Sequence, residues 1–266
     1  MTERLALVRR WDAKMGNAMS LIPKLAALVA LVAVSLGVLS GTGYKAEWWS
    51  IPVAFKMLEW ALYTGGGAAA LGVVSLFVSK QRGFDIGIIV AGGGVGLFIL
   101  MQVLTGGKVP MIHDITTDTE NPPQFVKIVA LRGEDSNSLD YANAVAPVAR
   151  GSKETRPVRE LQEGFYTNIK PLDLGAGTGP CFTLAADVAG GQGWEMVNVD
   201  PEALIVEATD TTFWFGFKDD VVIRVTGDTT SCRVDMRSVS RVGMSDVGVN
   251  AARIRTYMAA LEKAAS

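Results

Sequence analysis

The sequence is poor in the side chains that build reactive centres. Among 266 residues histidine occurs once, at His113, and cysteine twice, at Cys181 and Cys232. One histidine excludes a histidine-based metal cluster, and two cysteines do not close a four-ligand structural zinc site. There is no excess of positive charge: 25 Lys and Arg face 27 Asp and Glu, for a net charge of −2. Nothing in that balance points to a nucleic acid or another polyanion. No nucleophile–base pair and no pair of catalytic carboxylates stands out, and neither a cofactor nor a metal is expected.

Apolar residues are abundant. They make up 49% of the chain, and the mean hydropathy is +0.27, a value that at this length indicates membrane segments. Residues 1–20 form a basic leader with Arg4, Arg9, Arg10 and Lys14. Three apolar runs follow, at about 21–41, 53–79 and 84–104. Each approaches the roughly 20 residues that cross about 30 Å of hydrocarbon. Lys24, Lys80 and Arg82 lie on the leader's side of these runs, so the positive-inside rule puts the amino terminus in the cytoplasm and everything past Leu104 outside it. In a two-membrane bacterium this is an inner-membrane protein with a periplasmic domain. Tyr44, Trp48, Trp49, Trp60 and Tyr63 suit the opposite interface. Lys56 and Glu59 are spaced to pair on one helix face. Gly65 and Gly72 in the second run, and Gly92 and Gly96 in the third, let helices approach closely. They serve either this bundle or a second membrane protein.

Residues 105–123 read as a linker ending in Pro122 and Pro123, and residues 124–266 as an α+β domain. Phe125–Leu131 alternates weakly, like an edge strand, and a short helix fits near Val158–Gly164. Residues 180–190 suit a helix with Pro180 near its start, and Glu195–Asp200 a strand. Three strands are expected at Ile205–Phe217, Val221–Thr226 and Cys232–Val239, with turns at 218–220 and 227–230. Val247, Ala251, Ile254, Met258 and Leu261 then recur at helical spacing. The fold class is α+β: three transmembrane helices, then an antiparallel sheet covered by two helices. Cys181 at a helix start and Cys232 on the apolar sheet face can meet in the core. Neither belongs to a disulfide-style framework, and two buried thiols are the expected state.

One stretch invites an enzymatic reading. Residues 171–203 resemble the glycine-rich motif of S-adenosylmethionine-dependent methyltransferases, with DLGAGTG at 173–179 and an acidic Asp200 where that family binds the ribose. A glycine loop without its parallel sheet is a weak sign, and the antiparallel strands that follow argue against the reading.

A second resemblance is more specific. IHDITTD at 112–118 with Asn121-Pro122-Pro123, EAT at 207–209, WFGFKDD at 214–220, RSVSRVG at 237–243, and Asp246 through Ile254 occur in that order. Together they resemble the family catalogued as domain of unknown function 1499, over about residues 111–262. The resemblance implies the α+β architecture behind membrane helices and brings no activity, catalytic residue or cofactor. The glycine loop departs from that family and reads as inserted turn residues.

The candidate site is the polar face of the sheet: Arg224, Arg233, Asp235 and Arg237, with Asp219, Asp220 and Trp214 near the turn. Such a face is either solvated or salt-bridged, or it is a surface for an anion or a partner, since arginine suits bidentate carboxylate and phosphate contacts. The leading functional reading is a membrane-anchored, non-catalytic interaction or assembly protein, such as an accessory subunit of a larger membrane complex. The expected partners are the lipid bilayer and another membrane protein, with no nucleic acid. The alternative is a carrier or sensor of a lipid or small amphiphile held between sheet and helices, and a methyltransferase is the third reading.

Overall fold

The computed structural model describes residues 2–106 and 109–266; the side chains of residues 2–20 and of Thr105 lie outside that description, and the leader's basic residues with them. The chain forms two units, Met1–Leu104 with Trp214–Gly216, and Thr105–Phe213 with Phe217–Ser266.

The first unit is helical: α1 (Thr2–Lys45), α2 (Ile51–Val78) and α3 (Arg82–Gly106). Leu21–Lys45, Ile51–Val78 and Arg82–Leu104 are long and apolar enough to cross a membrane. Pro52 stands in the first turn of α2, where a missing N–H costs nothing. Large side chains such as Leu28, Phe77 and Val90 are exposed, as expected of helices whose solvent is lipid. A subset of the small residues, Ala54, Ala61, Gly65, Ala68 and Gly72 among them, is turned inward. A Cβ on Gly65 would stand 2.6 Å from the Gly92 carbonyl oxygen, one on Gly92 2.7 Å from Ala68 Cβ, and one on Gly72 2.7 Å from an Ile89 methylene. Gly96 faces Gly66 N and Leu62 O at 3.4 Å. All four glycines therefore pack α2 against α3 within this chain. Ser75 Oγ, donating to the buried Asp85 carboxylate at 2.6 Å, ties the same two helices near their connection. Lys56 and Glu59 pair at 2.7 Å on the surface, as their spacing predicts.

This seam gives a direct test. Gly65→Leu is expected to push α2 from α3 and cost about 1–3 kcal/mol, the usual range for overpacking. Gly94→Leu, where a Cβ meets nothing within 4 Å, should be neutral. Thermal loss of helicity in detergent compares the two.

The second unit is built on an antiparallel sheet: β1 (Asp114–Thr116), β4 (Leu172–Leu174), β5 (Glu195–Asp200), β6 (Ile205–Thr211), β7 (Lys218–Gly227) and β8 (Cys232–Ser240). The order is β1-β8-β7-β6-β5, with β4 also pairing with β8. A separate hairpin joins β2 (Val145–Pro147) to β3 (Thr155–Pro157), and the helices are α4 (Val158–Phe165), α5 (Thr178–Gly190) and α6 (Val249–Ala265).

Alternation along the strands sets the two faces. Val221, Ile223 and Val225 of β7 and Cys232, Val234 and Met236 of β8 pack with Phe182, Ala185 and Ala189 of α5 and Ile254, Tyr257 and Leu261 of α6 in one buried cluster. Tyr257 keeps its hydroxyl satisfied by donating to the Ala185 carbonyl at 2.9 Å. Inside this layer Cys181 and Cys232 are bonded, with Cα atoms 6.5 Å apart. That corrects the expectation of two thiols. The start of α5 crosses the start of β8, and the two side chains point into one core. The opposite face carries Val222 and Val239 under Phe125 and Ile128.

Four further expectations need correction. The first long strand ends at Thr211, not Phe217. Residues 212–217 make a loop closed by Thr212 N–H to Phe217 O and Phe217 N–H to Thr212 Oγ1, both at 2.9 Å, with Gly216 at φ +69°. Lys218–Asp220, expected as a turn, open β7. The expected edge strand at Phe125–Leu131 is instead a 3-10 turn, Ile128–Leu131, preceded by open loop. The expected linker is folded: its residues Asp114–Thr116 form β1 on the edge of β8.

Candidate functional site

The polar face of the sheet is covered, and its charges are spent internally. Arg237 is the clearest case, fully buried with 0% exposure. Its Nε and Nη2 donate to the two oxygens of Asp114 at 3.0 and 2.8 Å. Nη1 and Nη2 also donate to the carbonyls of Pro123 at 3.3 Å and Leu139 at 2.6 Å. Its guanidinium lies 5.4 Å from the Phe125 ring and 5.8 Å from the Tyr141 ring. Residues 118–139 thus wrap the face and take Arg237 as their anchor.

Arg224 and Asp235 are cross-strand partners in the β7–β8 register. Arg224 Nη2 donates to Asp235 at 3.1 Å and to Asp118 at 3.0 Å. Thr117 Oγ1 donates to the other Asp235 oxygen at 3.0 Å and accepts the Met236 N–H at 2.9 Å. Arg233 is different: its side chain is 52% exposed and pairs with exposed Asp173 at 2.9 Å. Trp214 is not on this face. It belongs to the helical unit, where its indole N–H donates to the Val38 carbonyl at 3.1 Å. Arg224, Arg233, Asp235, Arg237 and Trp214 therefore occupy four environments and do not converge on one anion. Of the solvated or salt-bridged face expected, the structure shows the salt-bridged form, and all but Arg233 of its charged members are at least largely buried.

The structure gives Asp219 and Asp220 their partners and adds charged residues that the strand pattern did not single out. Glu207, with 0% exposure, accepts the backbone N–H groups of Val126, Lys127 and Ile128 at 2.7–3.2 Å and the Asn198 amide at 3.1 Å. This carboxylate takes the donors a strand at 125–131 would have given a neighbour, which is why the segment is a turn. Asp220 is held by Arg132, by Arg241 at 2.8 Å and by the Thr209 hydroxyl at 2.9 Å. Burial lowers the Arg132 pKa, opposed by the Asp220 charge. On the other face, Arg253 of α6 donates to Asp210 and Asp219, each at 2.7 Å, and to Ser238 at 3.0 Å. Asp246 opens α6 by accepting the Asn250 N–H at 2.7 Å, and burial raises its pKa. A signal for these groups was present: Glu207, Asp219, Asp220, Arg237, Arg241 and Arg253 all sit in the motif runs that carry the family resemblance.

The glycine loop does not build a nucleotide site. β4 and β5 are not neighbours, as they would be in a parallel strand–helix–strand unit: β4 pairs antiparallel with β8, and β5 with β6. Gly177 packs on the Thr229 backbone, 2.6 Å from the position of an added Cβ, and Thr178 N–H bonds Asp228 O at 2.9 Å. Asp200 accepts the N–H groups of Glu202 and Ala203 in a tight turn. The methyltransferase reading is overturned by this topology. Among the described residues no group of His, Cys, Asp and Glu side chains is arranged to hold a metal ion.

Fold and site together define a class: a membrane protein with three apolar helices and an antiparallel α+β domain stabilised from within by buried ion pairs. The family model described as "Protein of unknown function (DUF1499)" matches residues 114–261, and the chain belongs to that family. A search of curated proteins found no match.

Proposed function

We propose that this chain is a membrane-anchored, non-catalytic interaction or assembly protein that presents a rigid domain on the periplasmic side of a bacterial inner membrane, as an accessory subunit of a larger membrane complex does. The observation that carries the reading is the fate of the charges. Arg224, Arg237, Arg241 and Arg253, and the carboxylates of Asp114, Glu207, Asp219, Asp220 and Asp235, are each bound to other groups of the same chain. Groups so committed specify a conformation and are poorly placed to bind substrate or exchange protons. A disulfide in the domain core also fits an oxidising compartment, in agreement with the basic residues on the amino-terminal side of the spans.

Two measurements test this. A carboxy-terminal alkaline phosphatase fusion at Ser266 is expected to be active; activity of a cytoplasmic reporter at that position instead would overturn the topology. Chemical cross-linking in intact membranes, followed by purification in mild detergent, is expected to yield one membrane protein in fixed ratio. Recovery of the chain alone after cross-linking would remove the interaction reading.

A further inference from the structure

Outside the sheet, the domain carries a groove of about 340 Å³ between α4, the β2–β3 hairpin and the segment that follows α3. This lies at the lower end of the roughly 300–1,000 Å³ typical of small-ligand sites. Its apolar walls come from Val109, Pro110, Val148, Leu161 and Phe165. Phe165 is 49% exposed, a large aromatic face turned to solvent. Arg156 and Glu160 also line the groove, but they pair at 3.0 Å, and Arg156 binds Glu154 as well. The groove therefore offers no uncompensated positive charge to a phosphate.

Its position in the chain indicates what fills it. α3 ends at Gly106 and its apolar span at Leu104. Val109, the first wall residue, is five residues beyond that span, a reach of at most about 18 Å even fully extended. A Cβ on Gly106 would meet Val247 at 2.7 Å, and one on Gly248 would meet Val109 at 3.6 Å and the Tyr166 hydroxyl at 3.5 Å. Val247 is itself exposed. The Tyr166 hydroxyl is buried and without a hydrogen-bond partner. Burial pushes its pKa up to about 12, so it remains a neutral donor beside Val109.

We propose that the groove takes up part of an acyl chain of a bilayer lipid, from the leaflet in which α3 ends. The proposal rests on the membrane reading of the three helices, and it places the lipid on the α4 side of the domain. The space between the sheet and α5 and α6, where a carrier would hold one, is filled by side chains. Apolar walls held within a few residues of a span favour lipid over a soluble amphiphile, and the paired polar lining makes the contact independent of headgroup charge.

The experiment uses the full chain in phosphatidylcholine nanodiscs doped with a lipid that carries a diazirine at its acyl terminus. After irradiation, adducts are expected on the spans and also on the peptide that contains Val148–Phe165. Phe165→Glu, and separately Ala149→Trp, which fills the groove, should remove most of the groove adduct and leave the span adducts in place. Replacing phosphatidylcholine with phosphatidylglycerol should change neither. Span adducts without groove adducts would overturn the proposal, as would groove adducts indifferent to both substitutions. A groove adduct that appears only with the anionic lipid would assign a headgroup site instead. Loss of all adducts, spans included, would remove the membrane reading itself.

Discussion

Arg237→Ala is expected to lower the melting temperature of the α+β domain by on the order of 10 °C. Removing one partner of a buried ion pair costs about 3–5 kcal/mol, and a domain of this size loses about 2–4 °C per kcal/mol. Here the truncation strands Asp114 and leaves the carbonyls of Pro123 and Leu139 without their donor. It also removes the cation between the Phe125 and Tyr141 rings. Arg233→Ala is the matched control. Its pair with Asp173 is exposed on both sides, and surface changes of this kind usually stay within about 0.5 kcal/mol. The double change Arg237→Met with Asp114→Leu should recover part of the loss, because a well-packed apolar pair can replace a buried ionic one. Near-ultraviolet circular dichroism of the full chain in detergent would follow all four proteins. A melt of Arg237→Ala unchanged from the parent would show that the guanidinium does not anchor the wrap, and would reopen the face as a binding surface.

Loss of the disulfide is the second large effect. Cys181 and Cys232 are 51 residues apart, and closing a loop of that length lowers the entropy of the unfolded chain by the equivalent of about 4 kcal/mol at 25 °C on the chain-entropy account. Cys181→Ala with Cys232→Ala is therefore expected to destabilise the domain by about 2–4 kcal/mol. Both sulfur atoms lie in the core under α5, so the missing sulfur volume adds to the loss. Non-reducing peptide mapping should find the two cysteines in one linked fragment from protein recovered from its membrane. Recovery of free thiols from that compartment would contradict both the bond and the periplasmic assignment.

How much of this could be read in advance depended on the range of the interaction. Helices and strands are specified by local periodicity, so the three spans, α5, α6 and the cores of β7 and β8 fall where the residue pattern places them. The errors arose where a specific hydrogen bond, distant or local, outweighed the side-chain pattern. Phe125–Leu131 has the alternation of a strand, but Glu207, about 80 residues away, takes its N–H groups. Phe213, Phe215 and Phe217 keep the two-residue period of a strand, but the hydrogen bonds between Thr212 and Phe217 close the segment into a loop.

The candidate site shows the same division. Alternation along β8 was enough to place Arg233, Asp235 and Arg237 on one face, but it could not show that residues 118–139 cover that face. The cover depends on Asp114, Pro123, Leu139 and Phe125 meeting Arg237, contacts that span about 100 residues and leave no periodic trace. The sequence by itself determined the membrane character, the α+β class and the membership signalled by the motif runs, because each follows from composition, spacing or a local motif. Only the tertiary structure decided that the cysteines are bonded, that the glycines of α2 and α3 pack against each other, that most of the polar face is a buried ion-pair layer, and that the glycine loop packs on Thr229. Each of those is a meeting of segments far apart in the chain, and which segments meet is fixed by how the layers pack.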